Sequence, residues 1–166
     1  MKGNEKKSQL IANSKNKNLH ASLGNENIYN SKTAKILGVI FDNALTFETH
    51  IKKLCKIAGQ KISALARVSP FMSFNKRKKL MNAFFKSQFS NCPLVWMFHS
   101  RTLEKKINNL HERCLRLVYL DEHSSFEELL LLDNSETFHH KNLKNIAIEL
   151  FKTKNGTAPY YYNEIQ

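Results

Sequence analysis

Residues 34–65 read AKILGVIFDNALTFETHIKKLCKIAGQKISAL, and the spacing of their apolar positions changes halfway through. As far as Phe41 the stretch is a run of branched and aromatic residues, the composition of a strand. Gly38 inside that run predicts a bulge or a close approach of another backbone. After Asp42-Asn43 the apolar residues fall at Phe47, Ile51, Leu54, Ala58, Ile62 and Leu65. Intervals of three and four put them on one face of a helix. Thr46 is the predicted N-cap, and Glu48 stands in the first turn, where a carboxylate meets the positive end of the helix dipole. Pro70 ends the helix, while Lys52, Lys53, Lys56 and Lys61 occupy its opposite face. The change of period divides the chain into a short strand-forming part, residues 1–43, and a helical part, residues 44–166.

Upstream, Ala21-Ser22-Leu23 and Asn27-Ile28-Tyr29 flank Gly24-Asn25-Glu26, the pattern of a hairpin. Strands so few and short are not stable alone and read as the edge of a larger sheet. Downstream, a second helix from Ser73 is expected to turn Leu80, Met81, Phe84, Phe85 and Phe89 inward until Asn91-Cys92-Pro93 ends it. The block Leu94 to Phe98 reads as core. A third helix over Thr102–Tyr119 carries Leu103, Ile107, Leu110, Cys114, Leu117 and Val118 on one face. Ser124 and Glu127 have capping-box spacing and open a short helix through Leu132. A last helix, Ser135–Lys154, is expected to insert Leu143, Ile146, Ala147, Leu150 and Phe151, with Asn155-Gly156 and then Pro159 as its stop. The predicted fold class is α+β, dominated by helices.

The chain has 166 residues, 42% of them hydrophobic and eleven of them Phe, so it can build a core. It has no apolar run of about 18 residues and no signal-peptide pattern, which predicts an intracellular protein without a membrane partner. Three cysteines, Cys55, Cys92 and Cys114, are odd in number and far apart, which predicts free buried thiols.

The formal charge is +12, and all of the surplus is local. Residues 52–116 hold fifteen Lys or Arg against two acids, Glu104 and Glu112; the rest of the chain is nearly neutral. Incidental surface charge usually mixes signs, whereas one-sign patches meet polyanions. Lys76, Arg77, Lys78 and Lys79 stand in the first turn of the second helix, where cations oppose the dipole. Helix stability does not account for them, which points to an external anion. Phe71, Phe74 and Trp96 are nearby candidates for stacking on bases, with core packing the first reading of Trp96.

Residues for catalysis are not grouped. Asp42, Asp121 and Asp133 are isolated, and Glu127-Glu128 diverge around their helix. No two of the seven histidines have the HxxxH spacing of a shared zinc site, and His50 and His111 lie beside apolar faces. There is no glycine-rich phosphate loop and no Gly-x-Ser-x-Gly elbow.

Three stretches carry a family resemblance: residues 36–73, residues 79–119 and SSFEELL at residues 124–130. The order Leu37-Gly38-Val39-x-x-Asp42, His50-Ile51-x-x-Leu54, Pro93-Leu94-Val95-Trp96, His111-Glu112-Arg113-Cys114-Leu115-Arg116 resembles the C-terminal part of reverse transcriptases, the RNA-directed DNA polymerases, of non-LTR (LINE-like) retrotransposons. NEKKSQLIAN, residues 4–13, is similar to the end of their palm. The resemblance implies a palm-end hairpin remnant over 1–43 followed by a helical, thumb-like bundle over 44–166. It implies that Leu37 and Gly38 lie beside a primer terminus, and that the thumb's basic residues hold RNA or an RNA–DNA hybrid by backbone and shape. The expected phosphate contacts are Lys52, Lys53, Lys56, Lys76, Arg77, Lys78 and Lys79, with Arg113 and Arg116 added. The family's Mg²⁺ is held by a Tyr/Phe-x-Asp-Asp turn and an upstream aspartate. Neither occurs here, so no cofactor and no polymerase activity is expected of this chain alone, and a separate upstream polymerase region would be its partner. The alternative is a non-enzymatic helical domain that binds an acidic protein.

Overall fold

The computed structural model describes residues 8–13, 19–24 and 26–157. Two antiparallel hairpins open it: β1 (His20–Leu23) with β2 (Glu26–Tyr29), and β3 (Thr33–Ile36) with β4 (Val39–Asp42). The two hairpins do not pair with each other. The expected single strand over Ala34–Phe41 is therefore folded in half at Leu37-Gly38, with Ile36 opposite Val39 and Thr33 opposite Asp42. Both turn residues have positive φ, 48° at Leu37 and 89° at Gly38, the signature of the two-residue hairpin turn that matches strand twist. Leucine at the first turn position hid that signal, because such turns normally announce themselves with Asn or Gly there. Neither the bulge nor the backbone approach expected at Gly38 is found; its close neighbour is a side chain, since a Cβ on it would lie 3.1 Å from Asn91 Nδ2, which donates to the Leu37 carbonyl at 3.2 Å.

Asp42 then builds the entrance to the first helix. Its carboxylate accepts from the backbone N–H groups of Ala44, Thr46 and Phe47 and from the Thr46 hydroxyl. Leu45 and Phe47 are thereby held at φ 54° and 56°. The helix α1 runs over Glu48–Val68 and is flanked by left-handed Phe47, not by a Thr46 cap. The Thr46 hydroxyl oxygen still accepts from the Glu48 N–H at 3.4 Å, while Asp42, five residues ahead of Phe47, accepts from the Phe47 N–H at 2.6 Å because the loop curls back onto the end of β4.

After a 3-10 turn at Ser69–Phe71, α2 covers Phe74–Leu80 and continues through a π turn, Met81–Phe85, and a 3-10 turn, Lys86–Phe89. Pro93 occupies the first turn of a short α3, Pro93–Trp96. Then come α4 (Arg101–Tyr119), α5 (Phe126–Asp133) and α6 (Phe138–Lys154). A working capping box opens α5, with Ser125 and Glu128 as its members, one residue beyond the expected Ser124 and Glu127. Asn155-Gly156 closes α6 as predicted; Pro159 lies outside the described residues.

The core forms where α1 and α4 pack together and the π-containing helix crosses them. It holds Ile51, Ala58, Ile62 and Leu65 of α1, Met81, Phe85 and Phe89, Trp96, and Ile107, Cys114, Leu115 and Val118 of α4. Val39 of β4 belongs to the same cluster, so the second hairpin shares the helical core. The fold is α+β and dominated by helices. Several expectations change at its edges. Phe84 and Phe98 point outward, because the π turn rotates the helix face by one residue and α3 is too short to bury both ends of the Leu94–Phe98 block. Cys55 and Cys114 are buried free thiols, but Cys92 is exposed at a left-handed residue preceding Pro93. Most of the expected core face of α6 is exposed as well: Leu143, Ala147, Leu150 and Phe151 face outward, and Ile146 is half-buried.

Candidate nucleic-acid interface

Each predicted phosphate contact has a definite place. Lys53 and Lys56 stand exposed on α1, Lys76 and Lys79 on α2, and Arg113 on α4. Among the described residues no carboxylate lies within ion-pair distance of these five, which leaves their charge facing solvent. Lys52 is exposed but paired with Glu48 at 2.6 Å, and Arg116 is half-buried and paired with Glu112 at 2.7 Å. Both are one-turn helix pairs of small energetic value that a phosphate can replace.

Arg77 and Lys78 depart from the expectation. Arg77 is buried, with Nε donating to the Val118 carbonyl at 2.7 Å and Nη1 to the Met72 carbonyl at 2.5 Å. Its guanidinium ties α2 to the end of α4 and cannot reach a phosphate. Lys78 turns toward Asp133, 3.0 Å away. In a run of four consecutive basic residues on a helix, two must face the body of the protein, and sequence alone does not say which two. Lys76 and Lys79, one turn apart, are the pair left outward.

Asp133 anchors the inward side. Its side chain is 1% exposed and lies between Lys78 and Lys86, with the Tyr119 hydroxyl at 3.2 Å. Burial opposes its charge, but the two lysines outweigh that effect and hold its pKa below the usual carboxylate value. The same contact raises Lys78. Asp42 is likewise lowered, since the hydrogen bonds it accepts outweigh its desolvation. Asp121 is lowered to about 2 by hydrogen bonds from Ser124 and His123. All three aspartates are thus fully engaged, one in a loop, one in a turn and one in an ion triad. They do not fit the divalent ion of the resembled family, and among the described residues no group of three or more His, Cys, Asp or Glu side chains converges on a metal position. No described helix is long and apolar enough to cross a membrane.

Leu37 is exposed at the hairpin tip, and Gly38 is held against Asn91. Phe71 is 89% exposed in the turn between α1 and α2, two residues before the cap of α2, and is the one stacking candidate fully open to solvent. Trp96 is completely buried, its indole N–H donating to the Asn91 carbonyl, and Phe74 packs against Tyr119 at 5.2 Å. Arg67, Arg101, Lys105 and Lys106 are also exposed and unpaired among the described residues. They belong to the same charge excess, and only the absence of a run kept them from standing out. Lys106 lies close enough to α1 to act on the Cys55 thiol, where it opposes the rise that burial causes.

Two histidines, His50 and His111, are part of the packing. His50 Nδ1 meets the Ile40 backbone N–H at 3.3 Å and joins β4 to α1. His111 is packed among Phe85, Phe126 and Phe138 at 5.2–5.7 Å, and burial lowers its pKa to about 4. No protein-family model, curated protein or solved structure matches this chain.

Proposed function

We propose that this chain is the C-terminal, thumb-like part of a non-LTR retrotransposon reverse transcriptase, and that it grips a template–primer duplex without a catalytic centre of its own. The hairpins over 20–42 are, on this reading, the end of a palm, and α1 to α6 the thumb and its continuation. The observation that carries the binding claim is the sorting of the central cations. Where an acid is within reach they pair with it; Lys53, Lys56, Lys76, Lys79 and Arg113 remain exposed with none among the described residues. Unpaired surface lysines of one sign are the groups that release counterions on meeting phosphates. Exposed Phe71 beside the α2 lysines adds a ring that a base or sugar can cover.

Competition tests this reading. The full chain should bind a labelled RNA–DNA hybrid, unlabelled nucleic acid of unrelated sequence should displace it, and polyglutamate of equal charge should displace it poorly. Equal displacement by polyglutamate would reassign the patch to general acidic partners.

A further inference from the structure

Asn142 and Asn145 stand three residues apart in α6, a spacing that puts them on one face of the helix. That face is turned toward the body of the protein, so Asn142 is only 4% exposed and Asn145 is half-buried. A carboxamide taken out of water ordinarily meets a hydrogen-bond partner, because leaving it bare costs its hydration. The Asn142 side chain has no such partner among the described residues. Its polar atoms are not sealed off as the His111 nitrogens are, and they open into a cavity of about 160 Å³ that Asn142 lines together with Phe89 and Phe138. A second cavity, about 390 Å³, continues the first: Lys86, Phe138, Lys141 and Asn145 border both. The resulting cleft has the size of a small-molecule site, which runs from about 300 to 1,000 Å³.

The walls of the cleft name the ligand by its chemistry. Lys86 is held by Asp133, and Glu136 and Lys144 hold each other. Lys141 is exposed, and among the described residues no carboxylate lies within ion-pair distance of it. A carboxamide presents a donor and an acceptor side by side, the complement of a nucleobase edge that carries both, as adenine does. Phe89 and Phe138, in ring contact at 4.8 Å, give a planar ring an apolar surface to lie against, and one unpaired cation suits one phosphate. We propose that the cleft under α6 binds a free nucleoside monophosphate, its base edge met by Asn142 and Asn145 and its phosphate by Lys141. The proposal rests on this cleft and is independent of the nucleic-acid reading of α1 and α2.

Calorimetric titration of the full chain tests it, with adenosine monophosphate, adenosine and inorganic phosphate as probes. Wild type should bind the monophosphate about tenfold more tightly than adenosine, the worth of one charge-assisted contact, and should not take up phosphate at the same concentration. Lys141→Ala should bring the monophosphate down to the affinity of adenosine and leave adenosine unchanged. Asn142→Leu, which fills the same space without donor or acceptor, should weaken both nucleoside probes by at least about tenfold and unfold at the wild-type temperature or slightly above it. K76E/K79E should change none of these affinities. No binding of the monophosphate, phosphate binding as tight as the monophosphate's, or binding that survives Asn142→Leu contradicts the proposal. So does binding that K76E/K79E abolishes, since it would belong to the surface lysines. A clear drop in the unfolding temperature of Asn142→Leu would show the amide to be engaged in the fold and would overturn the proposal as well.

Discussion

His111 shows how a single side chain sets a pH dependence. Neither ring nitrogen has a hydrogen-bond partner, and three phenyl rings surround it, so protonation in the folded state is resisted. The unfolded chain protonates near 6.5 and the folded chain only near 4, so protons bind the unfolded state first as pH falls. Stability from this residue is intact above about pH 6.5 and declines between 6.5 and 4, by about 3 kcal/mol in total. Urea midpoints at pH 7 and pH 4.5 measure it; His111→Phe should flatten the decline and cost little at pH 7, since it removes two unmet polar atoms and keeps the ring packing. A variant as pH-sensitive as the parent would refute that assignment. Asp133 acts lower on the scale: its lowered pKa supplies stability present above about pH 4 and lost as pH falls through the folded value. Arg77 and its neighbours separate structure from binding. Arg77→Ala should cost about 2–3 kcal/mol by chemical denaturation, because two charge-assisted bonds to the Val118 and Met72 carbonyls are lost. Lys76→Ala and Lys79→Ala should each stay within about 0.5 kcal/mol of wild type.

The second hairpin is the element whose sequence and conformation conflict most. Leucine at φ 48° in position 37 is strained, and asparagine is at home there. Leu37→Asn should raise stability by about 0.5–1 kcal/mol. Gly38→Ala should lower it by about 1–2 kcal/mol, through its positive φ and the crowding of Asn91. Thermal midpoints moving in the same direction for both would show that the turn is not of this type. The same element shows why some features were legible in the sequence and others were not. Helices α1 and α4 were legible because their apolar period of three and four residues is long and unbroken, and the π-containing helix because it is closed by Pro93. The hairpin was not, because its turn lacks the usual first residue; the entrance to α1 was legible only in part, because Thr46 accepts from the Glu48 N–H but the left-handed Phe47 before the helix is held by Asp42 across a loop. Within the basic run, charge was readable and direction was not, since Arg77 turns inward only in the presence of the Val118 and Met72 carbonyls. The facing of α6 differs for a plainer reason: periodicity identifies an apolar stripe without saying which way the helix is turned.

At the scale of the whole molecule, the charge excess of residues 52–116 divides into cations that hold the fold and cations that face outward. Arg77, Lys78 and Lys86 hold the ends of α2, α4 and α5 together, and Lys53, Lys56, Lys76, Lys79 and Arg113 stand free among the described residues. Surface charge of one sign raises the local concentration of anionic ligands and makes their binding depend on salt. The most direct measurement is the affinity for an RNA–DNA hybrid as a function of salt, for wild type and for K76E/K79E. Each phosphate neutralised contributes about −0.9 to the slope of log affinity against log salt on duplex DNA, and a value of that order is expected on a hybrid. Wild type should therefore show a steep linear fall, and K76E/K79E should bind at least about tenfold more weakly with a slope shallower by about two contacts. A salt-independent affinity, or a double variant that binds like the parent, would contradict the account.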